Sequence, residues 1–466
     1  MSKFVADLHT HSSYARATSP RLNFDTLSTW AKLKGVQLLS SADFTHPVWW
    51  QEIKRNLKES EYDGFYQHNG INFVLGTEIS CIYTQSGRQR RTHCLLFFPE
   101  KKDVEKFNNN LGQRANLSAD GRPIVGLSAR QLLELALGIN EKTILIPAHV
   151  WTPWFSLYGS NSGFDSIEEC FGSLSKYIYA VETGLSSDPA MNWRIKELDG
   201  RSIVSFSDLH SGPKMAREAT VFDTKFSYEG LLSALKSAQV AGQRFNSASN
   251  PRDESSRNNR SDSALVPVKL HKSDRLPSQS KILMTIEFFP EEGKYHYTGH
   301  RNCKIRHSPL ESDKLGFTCP KCQRKLTIGV MHRVSELAEK SRPEDYIPKN
   351  RPPFKRLVPL FEILAEVFNV QSASQKVLDE YNNLVKKFGS ELTILLKIPL
   401  EEIEKEVSIY KIVEGIDRVR RGAIVVEPGY DGVYGTVKIW HGHTSPTKKV
   451  VSATMKLPEG QVGLFD

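Results

Sequence analysis

The sequence has no uninterrupted apolar run near the ~18–20 residues that a membrane helix needs, which argues against a helical membrane protein. Its opening, MSKFVADLHTHSS, lacks the basic-then-apolar layout of a secretory signal and reads as a cytoplasmic start. Cysteine is scarce, with 6 in 466 residues. That is too few for a disulfide scaffold, and cytosolic thiols stay reduced. Acidic side chains are in the minority: Lys+Arg 62 against Asp+Glu 53 leaves a net charge of +9, which suits a polyanionic partner but is spread thinly. No internal repeat is found. With 39% hydrophobic residues the chain can bury a core, which excludes wholesale disorder. At about 100–200 residues per domain, its length implies two to four domains.

To about residue 235, β-type runs (FVADLH, VQLLSSADFTH, INFVLGTEIS, THCLLFF, TILIPAHV, YIYAVETG, SIVSFSDLH) alternate with helix-like stretches. FDTLSTWAKLKG (24–35) has a Gly stop, and SARQLLELALGI (128–139) has a Ser cap. Such alternation predicts an α/β layout, a barrel or a wound sheet. From Ser247 to about Ser280 the chain is rich in Ser, Asn, Arg and Asp and poor in aromatics, so 241–281 reads as a flexible insertion. Order resumes at ILMTIEFFPEEGKYHY, and 282–340 reads as one small module ending in the helix-like MHRVSELAEK. A Pro-rich connector (SRPEDYIPKNRPPFKR) precedes a helical segment over 357–421 with i, i+3, i+4 apolar spacing. A small β unit (AIVVEPGYDGVYGTVKIW) and a loose end 457–466 follow.

The chemistry-bearing residues cluster at the β-type runs. His9 and His11 (DLHTHS), His46 (ADFTHP), His93 (RTHCLLFF), His149 (IPAHV) and His210 (SDLHS) share this placement with Asp43, Glu78 (LGTEIS) and Asp208. In a β/α barrel, residues at the carboxyl ends of strands converge on one face. So many converging polar groups are costly to bury unpaired, and divalent ions resolve this, since imidazole and carboxylate suit Zn²⁺, Mn²⁺ or Fe²⁺. His93 begins its run rather than ending it. A hairpin turning near Ser86–Gly87 would set it opposite roughly residue 80, near Glu78, on the same rim. His68, in the loop YQHNG, lacks this context.

The motifs DLHTHS, ADFTHP, GTEIS, IPAHV and SDLHS, in that order, resemble those of the polymerase-and-histidinol-phosphatase (PHP) superfamily. GTEISCIY, NWRIKELDGRSIVSFSDLHS, TIEFFPEEGKYHYTGHRNC, CPKCQRKLTIGVMHRVSELA and EPGYDGVYGT extend the resemblance, outside 240–280, to the endonuclease Q family of DNA-repair nucleases. The resemblance implies a distorted β/α barrel (PHP type) over 1–240 holding two or three divalent ions (Zn, Mn, Fe or Mg). A small zinc-binding module over 282–340 and an α+β C-terminal domain over 341–456, whose basic residues could bind DNA, follow. His9, His11, Glu78 and Asp208 are assigned to one ion, and Glu78 bridges to a second held by His93 and His149. Asp43, His46 and His210 make a third group, all nine residues being catalytic. Two or three such ions clamp the attacking and leaving oxygens of an in-line phosphoryl displacement, with no separate general base. Leu209 departs from the family's usual small residue and is expected to crowd the rim.

His300-x₂-Cys303 and Cys319-x₂-Cys322 have the spacing of a zinc ribbon or knuckle, so one structural Zn is expected. His307 and His296 are rivals to His300 as the fourth ligand. Lys294, Arg301, Lys304, Arg306, Lys321, Arg324 and Lys325 around it could meet phosphates, as could Arg418, Arg420, Arg421 and Lys438 further on. The end, QVGLFD, matches the Q-x-x-L-F peptide that docks on the DNA polymerase sliding clamp, through Gln461, Leu464 and Phe465.

The function that this implies is nicking DNA 5′ of deaminated bases (uracil, hypoxanthine, xanthine) or abasic sites, leaving 3′-hydroxyl and 5′-phosphate ends, in the cytoplasm at the nucleoid. The enzyme flips the base for inspection, with Tyr83, Trp151 and Trp154 as candidate contacts, core packing being the favoured alternative for each. A PHP phosphatase acting on a small phosphomonoester would need no zinc module, net +9 charge or clamp-like tail. A non-catalytic DNA or clamp adaptor would be expected to lack metal ligands, and all nine are present.

Overall fold

The chain starts with the strand Ser2–Asp7, whose last four residues are buried, and the central sheet grows from both of its edges. The computed structural model describes residues 1–248 and 280–440. The tail 457–466, with Gln461, Leu464 and Phe465, and most of 241–281 lie outside the described residues.

On one edge, Ser2–Asp7 pairs in parallel with Leu38–Ser40, which pairs in parallel with the long strand Ile71–Gln85. The chain then turns at Ser86 and Gly87, both at positive φ, into the antiparallel strand Arg88–Phe98, which pairs with Ile144–Pro147. On the other edge, Ser2–Asp7 pairs antiparallel with Ala219–Thr224. A short parallel pair, Ala180–Glu182 and Ser202–Val204, fills the remaining gap. Its joints are a few bonds only: Val150 N–H donates to Glu182 O at 3.1 Å, Ser205 N–H to the Thr220 hydroxyl and that hydroxyl back to Ser205 O, both at 3.0 Å, and Leu209 N–H to His9 O at 2.9 Å with His11 N–H to Leu209 O at 3.1 Å. The architecture is therefore α/β, a β/α barrel distorted by antiparallel members and by three-residue strands.

Side-chain alternation along the strands divides the core. Phe4, Ala6, Leu38, Val74, Leu95, Phe97, Ile144, Ile146, Val204 and Phe222 form one buried cluster with Tyr228, Leu231 and Leu235 of the helix Tyr228–Ala248. Their neighbours Val5, Leu39, Phe73, Leu96, Leu145, Val181, Ile203 and Val221 join the larger cluster with the surrounding helices. The helix Phe24–Lys34 has an Asn23 capping box and stops at Gly35, which is left-handed at φ 89°; Ser128 caps Ala129–Ile139.

Two stretches sit elsewhere than their composition suggests. The strand Lys281–Glu287, grouped above with the 282–340 module, extends the central sheet antiparallel to Ala219–Thr224. Phe354–Arg356, within the Pro-rich connector, pairs in parallel with it. The outer edge of Ala219–Thr224 needs backbone partners, and alternation buries Ile282, Met284 and Ile286 there. The helix Tyr228–Ala248 also runs into 241–281, so that reading began a few residues too early.

Five helices, Leu360–Phe368, Gln375–Phe388, Glu391–Leu396, Leu400–Glu406 and Tyr410–Arg421, cover the predicted helical segment. The last stops at Gly422, and Val425–Glu427 then pairs antiparallel with Thr436–Lys438. The bundle packs on the barrel's first helix. Phe361 stacks on Tyr381 at 3.8 Å, and Trp30 lies 5.9 Å from Phe361. Between them Lys34, 1% exposed, is paired with the buried Glu391. Removing one partner of a buried ion pair strands the other's charge. Lys34→Ala is therefore expected to lower unfolding free energy in urea by about 3–5 kcal/mol.

Candidate metal centre and metal-binding module

The barrel topology carries the predicted residues to one rim. His9 and His11 follow Ser2–Asp7, His149 follows Ile144–Pro147, and Asp208 follows Ser202–Val204. Glu78 lies within Ile71–Gln85, and the hairpin register sets Ser80 opposite His93, bringing His93 back to the same place.

Two groups of side chains form there, sharing one carboxylate. His9, His11, Glu78 and Asp208 each offer a ligand atom within 4.8 Å of the others, as do Glu78, His93 and His149. In the first, His9 Nε2 is 3.3 Å from both Glu78 Oε2 and Asp208 Oδ1, and His11 Nε2 is 3.2 and 3.3 Å from them. Donor atoms about 2.0–2.2 Å from one ion stand roughly 2.8–3.6 Å apart at tetrahedral to octahedral angles. His9 Nε2, His11 Nε2 and Asp208 Oδ1 are buried without a hydrogen-bond partner, a costly state that an ion relieves. In the second group, Glu78 turns its other oxygen, Oε1, to His93 Nδ1 at 2.7 Å and His149 Nε2 at 3.2 Å. Each donor set suits a divalent ion, and Glu78 belongs to both sets.

The electrostatics are those of a cation site. Burial opposes charge on His9, yet the carboxylates of Glu182, Glu78 and Asp208 hold it well above the usual imidazole range. Burial likewise opposes charge on Glu78, while His93, Arg122 and His9 hold it well below the usual carboxylate range. His93 is pushed down to about 4, mainly by burial. Strain accompanies function here: Asp43, His149 and Asp208 all have positive φ, at 33°, 32° and 49°.

The third predicted group is not gathered. Asp43 spends one oxygen on His11 Nδ1 at 3.0 Å and the other on the Ser12 backbone N–H, so it orients a histidine. His46 accepts from Trp49 N–H at the start of the helix Pro47–Asn56 and stacks on Tyr14 at 4.4 Å. His210 lies beside His11, its Nδ1 2.9 Å from Asp208 O. Leu209 does not crowd the rim: its side chain is in the core, and its backbone ties His9 to His11.

Sequence reasoning missed two participants. Glu182, fully buried, holds His9 Nδ1 at 2.9 Å and accepts His149 N–H at 2.7 Å. It ends its strand as the predicted residues do, so YAVETG carried the signal. Arg122, 3.0 Å from Glu78 Oε2, comes from a loop with no motif. Gly184, at φ +60°, also matters, because a Cβ there would lie 2.3 Å from His149 Cβ. Gly184→Ala is expected to displace His149 and weaken metal affinity by about 10–100-fold in a chelator competition titration, as loss of an outer support does.

Of the aromatic candidates, Trp151 is core, its indole N–H bonded to Asn192 at 2.8 Å. Tyr83 packs against the core. Trp154 is 37% exposed, edge-on to Tyr295 at 5.3 Å.

The second cluster joins His300, Cys303, Cys319 and Cys322 within 4.8 Å. His300 Nδ1 is 3.3 Å from Cys322 Sγ, whereas His296 and His307 are buried outside the group. Burial alone would raise the Cys319 thiol, but the backbone N–H groups of Cys322 and Lys321 bring it down to about 6, favouring the thiolate that zinc needs. Lys294, Arg301, Lys304, Arg306, Lys321, Arg324 and Lys325 are all exposed around it. Arg420, by contrast, turns inward to the carbonyls of Leu395, Ile394 and Ile398 at the end of Glu391–Leu396. Arg418 and Arg421 pair with Glu414 and Asp417, and Lys438 is exposed.

The fold and the rim define a class: a mixed α/β protein built on a PHP-type barrel, with a cysteine-rich module attached. The family model for the MJ0043 C-terminal domain matches residues 359–423, within the helical bundle. The uncharacterized protein MJ0043 of Methanocaldococcus jannaschii is 28% identical over 290 residues, 62% of this chain and 31% of that protein. The chain thus spans about a third of that relative's length. The crystal structure of the lesion-specific endonuclease PfuEndoQ from Pyrococcus furiosus superposes with a TM-score of 0.76 at 28% identity, covering 94% of this chain and 95% of that one. Endonuclease Q in complex with a 27-mer duplex bearing an abasic lesion at the active site gives 0.75 at 29% identity, covering 94% and 96%. Over nearly its whole length the chain is therefore similar in structure to endonuclease Q, a lesion-specific DNA endonuclease.

Proposed function

We propose that this chain is a metal-dependent DNA-repair endonuclease that nicks the phosphodiester 5′ of deaminated bases and abasic sites, leaving 3′-hydroxyl and 5′-phosphate ends. The observation that carries the reading is the pair of ligand groups joined through the two oxygens of Glu78. The lesion-specific and abasic-DNA activities of its structural neighbours support it.

His9, His11, Glu78 and Asp208 would hold one divalent ion, and Glu78, His93 and His149 a second. Bound together, such ions supply charge stabilisation to both the entering and the departing oxygens of an in-line displacement. The protein's own part is positional. Glu182 and Asp43 each engage the Nδ1 of a histidine, leaving the Nε2 of His9 and of His11 turned to the centre. Trp154, in the segment that follows His149 and exposed, is the aromatic candidate that this reading keeps for an unstacked base. The basic surface of the cysteine module suits the phosphate backbone, and the chain is a DNA-binding protein in this reading.

Cleavage of an end-labelled duplex carrying one deoxyuridine or deoxyinosine, with Mn²⁺ or Mg²⁺, tests this beside an undamaged control. The expected result is a single nick immediately 5′ of the lesion. No cutting of any DNA, with para-nitrophenyl phosphate hydrolysed instead, would leave a small-substrate phosphatase standing. Among the described residues no helix is long and apolar enough to cross a membrane. The tail carrying Gln461, Leu464 and Phe465 is proposed to dock on the polymerase sliding clamp. Removing 461–466 should abolish clamp pull-down and spare cleavage of naked DNA.

A further inference from the structure

We infer that Arg122 is a catalytic arginine, binding a non-bridging oxygen of the scissile phosphate and stabilising the charge that grows there. This rests on the metal-dependent phosphodiesterase reading above.

The loop that carries Arg122 is tied to the site-bearing segments on both sides. Gly121 N–H donates to Tyr14 O at 3.0 Å, and Ser80 N–H donates to Pro123 O at 3.0 Å. Arg122 N–H donates to Asp120 Oδ1 at 3.0 Å. A Cβ at Gly121 would lie 2.5 Å from Asp43 Oδ2 and 2.9 Å from Ala15 N, so the backbone is seated against the carboxylate that orients His11. The guanidinium is thus held in place before any substrate arrives.

Its position is on the open side of the shared carboxylate. The Arg122 side chain is 25% exposed, and Glu78 beneath it is 0%. Nη1 meets Glu78 Oε2 at 3.0 Å. Among the described residues the other guanidinium N–H groups have no hydrogen-bond partner, although the fork can make five such bonds.

Charge decides what this arginine is for. If Glu78 serves two divalent ions, it needs no guanidinium to neutralise it, and a third cation so close is repelled. An anion restores the balance. A phosphodiester brings one negative charge, and its in-line transition state concentrates more on the non-bridging oxygens. Preorganised donors aimed at such developing charge contribute the largest single electrostatic term in many enzymes. Arginine suits the task, because its planar fork matches two phosphate oxygens and it keeps its proton throughout.

Arg122→Ala and Arg122→Lys in the full chain, compared with wild type and Asp208→Ala, test the inference. Single-turnover nicking of an abasic-site duplex is measured at saturating Mn²⁺, with bound metal counted by mass spectrometry. Arg122→Ala should lose on the order of 10²–10³ in rate at unchanged metal content. Added guanidinium ion should restore part of the rate where urea or equal sodium chloride does not. Arg122→Lys, which keeps the charge but not the fork, should fall between. A variant that loses metal and recovers full rate in excess Mn²⁺ would overturn the inference, making Arg122 a prop for Glu78; so would an unchanged rate. An Asp208→Ala protein that still nicks would sink the metal reading itself. An inactive Asp208→Ala beside a fully active Arg122→Ala removes only the arginine.

Discussion

Asp208→Ala should abolish nicking while lesion-containing duplex still binds. Asp208 Oδ1 stands 3.3 Å from both His9 Nε2 and His11 Nε2 and 3.5 Å from His210 Nδ1, and among the described residues it has no hydrogen-bond partner. Removing it opens the first ligand group and leaves the Glu78–His93–His149 group complete. An ion held by the first group would lose a ligand, and with it the charge stabilisation it would supply to one oxygen of an in-line displacement. A loss of at least about 4 kcal/mol of transition-state stabilisation, on the order of 10³-fold in rate, is expected. DNA affinity, which the proposed function assigns to exposed basic side chains, should change little in a gel-shift titration. Activity surviving the substitution would remove the metal assignment.

Cys319→Ser should unfold the cysteine module and spare the barrel. Cys319 is fully buried, and Lys321 and Cys322 turn their backbone N–H groups to its sulfur. The surrounding framework is thin. Thr298–His300 and Ile305–His307 make three backbone pairs, and the segment Phe317–Leu326 folds back through a few turn bonds. So small an apolar interior cannot offset its chain entropy, and a structural zinc contributes roughly 10–16 kcal/mol of apparent folding free energy in comparable small sites. Hydrogen exchange should show loss of protection across 298–327 in the variant, and in wild type with a strong chelator. Protection of Ser2–Asp7 and Ile71–Gln85 should persist in the variant. A module that stayed protected without metal would mean that its fold is held by the contacts Gly299–Tyr430 and Thr327–Asp431 instead.

How much was legible in advance follows the physics of each feature. The hairpin register placing His93 beside Glu78 was readable because antiparallel pairing about a two-residue turn has little freedom, and Ser80 faces His93 as arithmetic requires. The helix ends at Gly35 and Gly422 were readable for a similarly local reason: both glycines adopt the left-handed conformation that stops a helix. Arg420 reads from sequence as a phosphate contact, yet it bonds the carbonyls of Ile394, Leu395 and Ile398, because a basic residue at a helix end looks the same whether it meets solvent or caps a neighbouring helix. The strand Lys281–Glu287 groups with the cysteines by sequence proximity, yet it joins the central sheet, whose unpaired edge only exists once Ala219–Thr224 is in place.

The metal-binding chemistry was determined by the sequence alone. Histidine, carboxylate and thiolate are the side chains with the required donor atoms, and their spacing within DLHTHS and CPKC is local enough to survive any fold. Tertiary structure decided how the donors are divided. Asp43 and His46 occur in motifs as suggestive as that of His149, yet Asp43 turns to His11 and Ser12, His46 caps a helix, and His149 turns to Glu78. Glu182 and Arg122 join the rim from a three-residue strand and an irregular loop, brought there by ring closure. A ligand's type is a property of one side chain. Which ion, histidine or phosphate it serves depends on distances set by strands many residues apart.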